Sequence, residues 1–351
     1  MLAGHRCTLE SDVSKFLFGK CPAPNLKAEY TYTLSCISQS RCQKTLLRYN
    51  AHWFRFRSWC QQNKLSFLPA DPMHVAMFLS NSLRFALNRG LTYSNIKAAS
   101  AAILTALNMA GLDDVTSHSF VQAVRSCAQR SLSSGGQFRK APLSLDLCTI
   151  TVSFLLQPSQ STLLNLQIAT FIMVCFSGFL RYDCACQIFA DEVRFYSSHM
   201  EIFLAKRKND QFRSGSVVCI AQGKSLSCPV SLLKSLLVKA GSLGKHVPFF
   251  RSFRKGSSEK FCPSNQPWSY SFARARVLQA LADSAHMSFA DFTARYGLHS
   301  LRSEGATLVA KEGVPDHIFQ AHGAWRSSQA MHAYIERPTA NKLLPTRAMH
   351  Y

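Results

Sequence analysis

The sequence predicts a mainly α-helical protein in two domains, with one small antiparallel β-sheet in the second. Three observations lead there. Apolar residues recur at steps of three and four through 41–130 and again beyond about residue 271. Three short β-branched and aromatic runs lie between residues 192 and 221. A polar, basic Ser/Gly-rich stretch at 131–142 separates the two halves. The length, 351 residues, suits two domains.

Residues 1–40 mix Pro22, Pro24 and scattered Ser without sustained periodicity and read as a loosely ordered arm. From residue 41 one helical face carries Leu46, Tyr49, Trp53, Phe56 and Cys60, and another carries Arg41, Lys44, Arg48 and Arg55. One face packs and the other is cationic. Asp71-Pro72 combines a capping carboxylate with a proline suited to the first helical position, and Val75, Phe78, Leu79 and Leu83 supply the stripe behind it. A third helix is expected over Ser94–Ala110, stopped by Gly111, and a fourth after Thr116-Ser117. These make a helical bundle at 41–130, followed by the linker at 131–142 and a second domain at 143–351.

In that second domain, Leu147–Leu180 contains no charge, and Leu163–Leu180 is long enough to cross a bilayer. Asn165, Gln167, Thr170, Ser177 and Gly178 dilute the run, so a helix buried in a large domain is expected and no membrane partner. The runs Glu192–Tyr196, Met200–Ala205 and Ser216–Ala221 predict a three-stranded antiparallel sheet. Helices resume over Ser271–Leu281 and from His299 onwards, with a stop at Gly313-Val314-Pro315.

The charge narrows the function. There are 40 Lys and Arg against 19 Asp and Glu, a net +21. The excess is spread evenly, with 17 basic and 6 acidic residues in 1–140 and 23 and 13 in 141–351. Both halves are expected to face a polyanion, and nucleic acid fits this better than a membrane surface. Thirteen cysteines include no Cys-x-x-Cys, the nearest being Cys184-Ala-Cys186, which argues against a metal cluster. With no secretory apolar segment at the start, an intracellular protein with reduced thiols is expected.

Four separated segments carry chemistry. Arg181 ends the apolar helix in Gly178-Phe-Leu-Arg181-Tyr-Asp183, where a guanidinium needs either an internal acid, Asp183 or Asp191, or an anionic ligand. Lys206-Arg207-Lys208 opens a basic hairpin that continues to Arg213, and reads as a solvated loop or a nuclear-import signal when taken alone. In His299-Ser-Leu-Arg302 the spacing puts an imidazole and a guanidinium on one helical face, able to bracket a phosphate. His322-Gly-Ala-Trp325 precedes Tyr334 by nine residues, counted from the Trp.

In this order the segments resemble the catalytic domain of the tyrosine recombinases, the phage integrase family. The resemblance covers 41–351 and is similar to the branch found in eukaryotic mobile elements. It implies a SAM-like helical core-binding domain followed by an α+β catalytic domain. By residue, it implies that Arg181 and Arg302 clamp the phosphate and that Lys208 protonates the leaving 5′-oxygen. Trp325 donates its indole N–H, and Tyr334 attacks to form a covalent 3′-phosphotyrosine. His299 either accepts the Tyr334 proton or donates to a phosphate oxygen. No metal or other cofactor is implied. Arg41, Lys44, Arg48, Arg55, Arg139, Lys140, Arg207 and Arg213 are the expected DNA contacts, mostly to phosphates. The implied partners are double-stranded DNA and three further copies of the chain on synapsed sites, in the nucleus if the source is eukaryotic. Where the family commonly has an acid three residues after the first Arg, this chain has Cys184. The competing readings are a domesticated, inactive DNA-binding protein, a type IB topoisomerase-like relaxing enzyme, and a basic protein unrelated to DNA cleavage.

Overall fold

A computed structural model describes residues 8–19, 23–39, 43–133, 140–205, 207, 215–242, 245–335, 343, 347 and 348. They divide into two compact units, 1–138 and 139–351. Each has its own apolar core.

The first unit is helical: α1 (Thr8–Phe18), α2 (Lys27–Gln39), α3 (Gln43–Gln62), α4 (Pro72–Asn88), α5 (Ser94–Met109) and α6 (Ser119–Leu132). The stripe on α3 does what its spacing predicts, burying Leu46, Trp53, Phe56 and Cys60, while Arg48 and Arg55 lie exposed on the other side. Asp71 caps α4, its Oδ1 accepting from the backbone N–H groups of Met73 at 2.8 Å and His74 at 3.3 Å. Gly111, at φ +66, stops α5 in the left-handed turn that glycine adopts without strain.

The expectation of a loose arm at 1–40 needs correction. α1 and α2 are formed there, and α1 buries Leu9 and Val13 in the core of the unit. The Leu9 N–H donates to Asn50 Oδ1 at 3.1 Å. Asp12, 7% exposed, accepts from Trp53 Nε1 at 2.9 Å and lies 3.4 Å from Arg57 Nε. An 11-residue helix with two buried apolar positions carries almost no periodic signal. A helix so short is held by its tertiary contacts rather than by propensity.

The second unit is built round α8 (Leu163–Ser177), which is buried from Leu166 to Phe176. Against it pack α7 (Leu145–Leu155), α10 (Pro229–Lys239), α11 (Tyr270–Ser284) and α13 (His299–Lys311). Its polar Gln167 is satisfied inside the core, Nε2 donating to Phe249 O at 2.7 Å. The uncharged run is therefore a core helix, and no helix among the described residues is long and apolar enough to cross a membrane.

After the four-residue α9 (Tyr182–Ala185), strands β1 (Val193–Phe195), β2 (His199–Leu204) and β3 (Ser216–Ala221) form the expected antiparallel sheet in the order β1-β2-β3. Met200 pairs with Ile220 and Ile202 with Val218, so one face of the sheet closes the core. α12 (Phe289–Arg295), α14 (Asp316–Gly323) and α15 (Ser328–His332) complete the unit. α10 and α12 were not visible as periodic segments; α12 has seven residues and depends on a Ser288 cap, whose Oγ accepts from Asp291 N at 3.1 Å.

Replacing Asp12 by Ala leaves the Trp53 N–H without its acceptor and Arg57 without the carboxylate 3.4 Å from its Nε. The expected loss is about 2 kcal/mol, seen as a lower urea midpoint. Asp12→Glu should recover part of it.

Candidate active site

The site forms where α8 ends. Gly178 closes that helix, and Phe179 takes a left-handed conformation at φ 47 although it is 3% exposed. This turn leaves Arg181 as the residue that caps α9. Phe179 packs edge-on against Phe319 and His322, with ring centroids at 5.6 and 4.7 Å. His322 Nε2–H donates to Ser177 O at 2.9 Å, joining α14 to the end of α8. The imidazole is a structural tie, and burial, before the charges of Arg207 and Arg302, holds its pKa below the ordinary value.

Arg302 rises from the first turn of α13 into this corner and is 2% exposed. Nη1 donates to Phe179 O in a short bond, and Nη2 to Gly323 O at 2.9 Å. Its guanidinium carbon stands 4.3 Å above the Trp325 ring centroid and 4.9 Å above that of Tyr334. Burial, and then the charge of Arg181, lowers its pKa, but an arginine at neutral pH stays a cation. The other groups whose charge acts on it are Tyr334, Cys184 and Arg207, and no carboxylate is among them.

Trp325 follows Ala324, a left-handed residue at φ 47, so its ring folds back over Gly323. A Cβ on Gly323 would sit 1.8 Å from that ring. Tyr334 comes just after α15, and α15 is anchored by the fully buried Met331. The Tyr334 hydroxyl accepts from Arg181 Nη2 at 3.3 Å and lies 3.5 Å from His299 Nε2. Arg302 Nε, Trp325 Nε1 and Arg207 Nε and Nη2 are buried without a hydrogen-bond partner among the described residues.

Arg181, His299, Arg302, Trp325 and Tyr334 are thus drawn together from α9, α13 and the segment after α14. Of the acids weighed as partners of Arg181, Asp191 bonds His246 at 3.0 Å and Asp183 is exposed. Cys184 is buried, 5% exposed, in the field of the arginines. Lys208, Arg41, Arg139 and Arg213 lie outside the described residues, as does the side chain of Lys44. Lys140 is turned to the protein's own backbone, Nζ donating to Thr293 O and Ala294 O, both at 2.7 Å, at the end of α12. That corrects its reading as a phosphate contact, because a helix C-terminus offers the ammonium unpaired carbonyls. Arg207 is not in a solvated turn but 8% exposed. The residues missed were Phe179, Gly323 and the structural His322. A glycine two places before the Trp was the one available signal. Among the described residues no group of three His, Cys, Asp or Glu could hold a metal.

Gly323→Ala should push the indole off Gly323 and tilt it against Arg302. An expected loss of about 2 kcal/mol in thermal melts would be accompanied by quenched or shifted Trp fluorescence. For His322, a folded-state pKa below 6.5 means that the unfolded chain takes up a proton first. Stability is unaffected above that pH and falls as pH drops through it. The gap in melting temperature between the wild type and His322→Gln should therefore narrow between about pH 7 and 5.

No family model matches the chain. An integrase/recombinase XerD homolog of Selenomonas ruminantium is 23% identical over 304 residues, spanning 86% of this chain and 84% of that protein. The solved structure of the XerH site-specific recombinase bound to its difH substrate, in a pre-cleavage complex, is similar with a TM-score of 0.57. Its identity is 14%, over 97% of this chain and 95% of that one. The Tn1549 transposon integrase in complex with transposon right-end DNA gives 0.52 at 11% identity, over 98% and 99%. Along most of its length the chain is thus similar in sequence to that integrase/recombinase homolog, and in fold to these two solved structures.

Proposed function

We propose that this protein cuts and rejoins DNA strands by transesterification, with Tyr334 as the nucleophile. The observation that carries this is the setting of the Tyr334 hydroxyl, within reach of Arg181 Nη2 and His299 Nε2 beside the buried Arg302. A tyrosine packed among cations without a carboxylate is a poor structural choice, but it suits a phenol that must lose its proton and meet a phosphodiester.

The step balances without external energy. The phenolic oxygen attacks phosphorus, a 3′-phosphotyrosine bond forms, the P–O5′ bond breaks, and the 5′-oxygen leaves as a hydroxyl. Reversal by another strand's 5′-hydroxyl restores the phosphodiester. Charge that gathers on the non-bridging oxygens faces Arg181, the Nε of Arg302 and the Trp325 N–H. Each of these donors is worth about 3 kcal/mol in comparable oxyanion sites. Lys208 is the proton donor to the leaving oxygen. His299, at 3.5 Å from the phenol, is placed to take its proton. Because Tyr334 sits beside its own chain's arginines, cleavage acts on the phosphate bound by the same protomer. The exposed Arg48 and Arg55 of α3 contact DNA phosphates, and strand exchange takes place in a tetramer on two synapsed duplexes. An inactive, domesticated protein would have no reason to keep unpaired buried donors around a tyrosine.

Incubation with a nicked suicide duplex should give an SDS-resistant protein–DNA adduct from the wild type and none from Tyr334→Phe. Lys208→Ala should cleave at least about 10²-fold more slowly. A 5′-bridging sulfur at the scissile position, which leaves without a proton, should restore most of that rate. Adduct formed by Tyr334→Phe would overturn the assignment of the nucleophile.

A further inference from the structure

We infer that Arg207 is a third guanidinium of the phosphate site, binding a non-bridging oxygen of the scissile phosphodiester beside Arg181 and Arg302. This rests on the reading of the site as one for DNA cleavage and adds a residue to it.

Arg207 stands three residues beyond the end of β2, in a hairpin whose sequence suggests solvent exposure, yet it is 8% exposed. Its Nε and Nη2 are buried with no hydrogen-bond partner among the described residues. A guanidinium cannot shed its charge by deprotonation, and burying it unpaired costs several kcal/mol. The neighbours make this worse: the charges of Arg181 and Arg302 act with that of Arg207. Arg251, 6% exposed, also has its Nε buried without a hydrogen-bond partner, but its other nitrogens donate to Asn265 Oδ1 at 2.9 Å and to Ser242 Oγ at 2.8 Å. Arg207 Nε and Nη2 have no such acceptor among the described residues, and the charge of Arg207 acts on Arg302, whose Nε, like the adjoining Trp325 Nε1, is an orphan donor as well. Several buried donors of one sign, from separate segments and with no acid bonded to them among the described residues, specify an anion with several acceptor oxygens. A phosphodiester passing through a more highly charged pentavalent state is such an anion, and forked guanidinium donors match its oxygens.

The test compares wild type, Arg207→Ala and Arg207→Lys, all full length, on the suicide duplex with either an ordinary or a methylphosphonate scissile linkage. On the ordinary phosphate, Arg207→Ala should lower the single-turnover cleavage rate about 10²-fold, with affinity for intact duplex changed less than about threefold. Arg207→Lys should fall between them. On the methylphosphonate, which removes the charge that Arg207 would meet, wild type and Arg207→Ala should cleave within about threefold of each other. Equal defects on both substrates, or a loss explained wholly by weaker duplex binding, would overturn the inference. A second arm is independent of cleavage. Inorganic pyrophosphate, compared with sodium chloride at equal ionic strength, should raise the melting temperature of the wild type but not of Arg207→Ala. If the wild type forms no adduct, the proposed function falls. Arg207 as an anion ligand is then decided by this arm: an equal rise in both proteins, or none in either, overturns it.

Discussion

The guanidinium of Arg302 is the constraint on which the second unit's functional corner depends. It is a permanent cation with almost no access to solvent, and two of its nitrogens are spent on the carbonyls of Phe179 and Gly323. Those bonds fix the end of α8 to the end of α14. Everything that then reaches the site is arranged by this tie: Arg181 because it follows Phe179 by two residues, Trp325 because its ring folds over Gly323, and Tyr334 because its ring packs on the cation beside that of Trp325. A buried charge is costly and contributes little net stability, but it specifies position sharply, since few other arrangements satisfy its donors. The price is local strain at Phe179 and Ala324, the two non-glycine residues of the corner held at positive φ.

Excess charge gives the site its chemical character. Three arginines act on one another where the groups opposing them are a tyrosine and a cysteine rather than a carboxylate. In the folded protein this is repulsion without compensation. Only an incoming anion turns those donors from a cost into binding energy, and an anion that gains charge during the reaction gains most. Cys184, a thiol where an acid would have neutralised part of that charge, leaves the imbalance in place.

Legibility in the sequence followed the range of the forces involved. The stripe Leu46, Trp53, Phe56 and Cys60 and the alternation of Met200, Ile202 and Leu204 could be read because helices and strands repeat their faces at fixed steps. The Asp71-Pro72 cap could be read because capping is local chemistry. α1, α10 and α12 could not, because each is short and its burial depends on residues far away in the chain. Arg181, His299, Arg302, Trp325 and Tyr334 were recognisable from their order and spacing. Arg207 and Lys140 were expected as exposed DNA contacts, but Arg207 is buried and the exposed Lys140 caps the end of α12.

Composition and pattern alone determined the mainly helical architecture, the buried α8, the small antiparallel sheet and the cationic character of both halves, since each follows from local periodicity or from summed charge. Tertiary structure decided which cations face one another, which donors are left unpaired, and that the Tyr334 hydroxyl lies within reach of Arg181 and His299. Those are distances between residues separated by 35 to 153 positions. No periodic pattern encodes such distances; they are set by how α8, α13 and α14 pack.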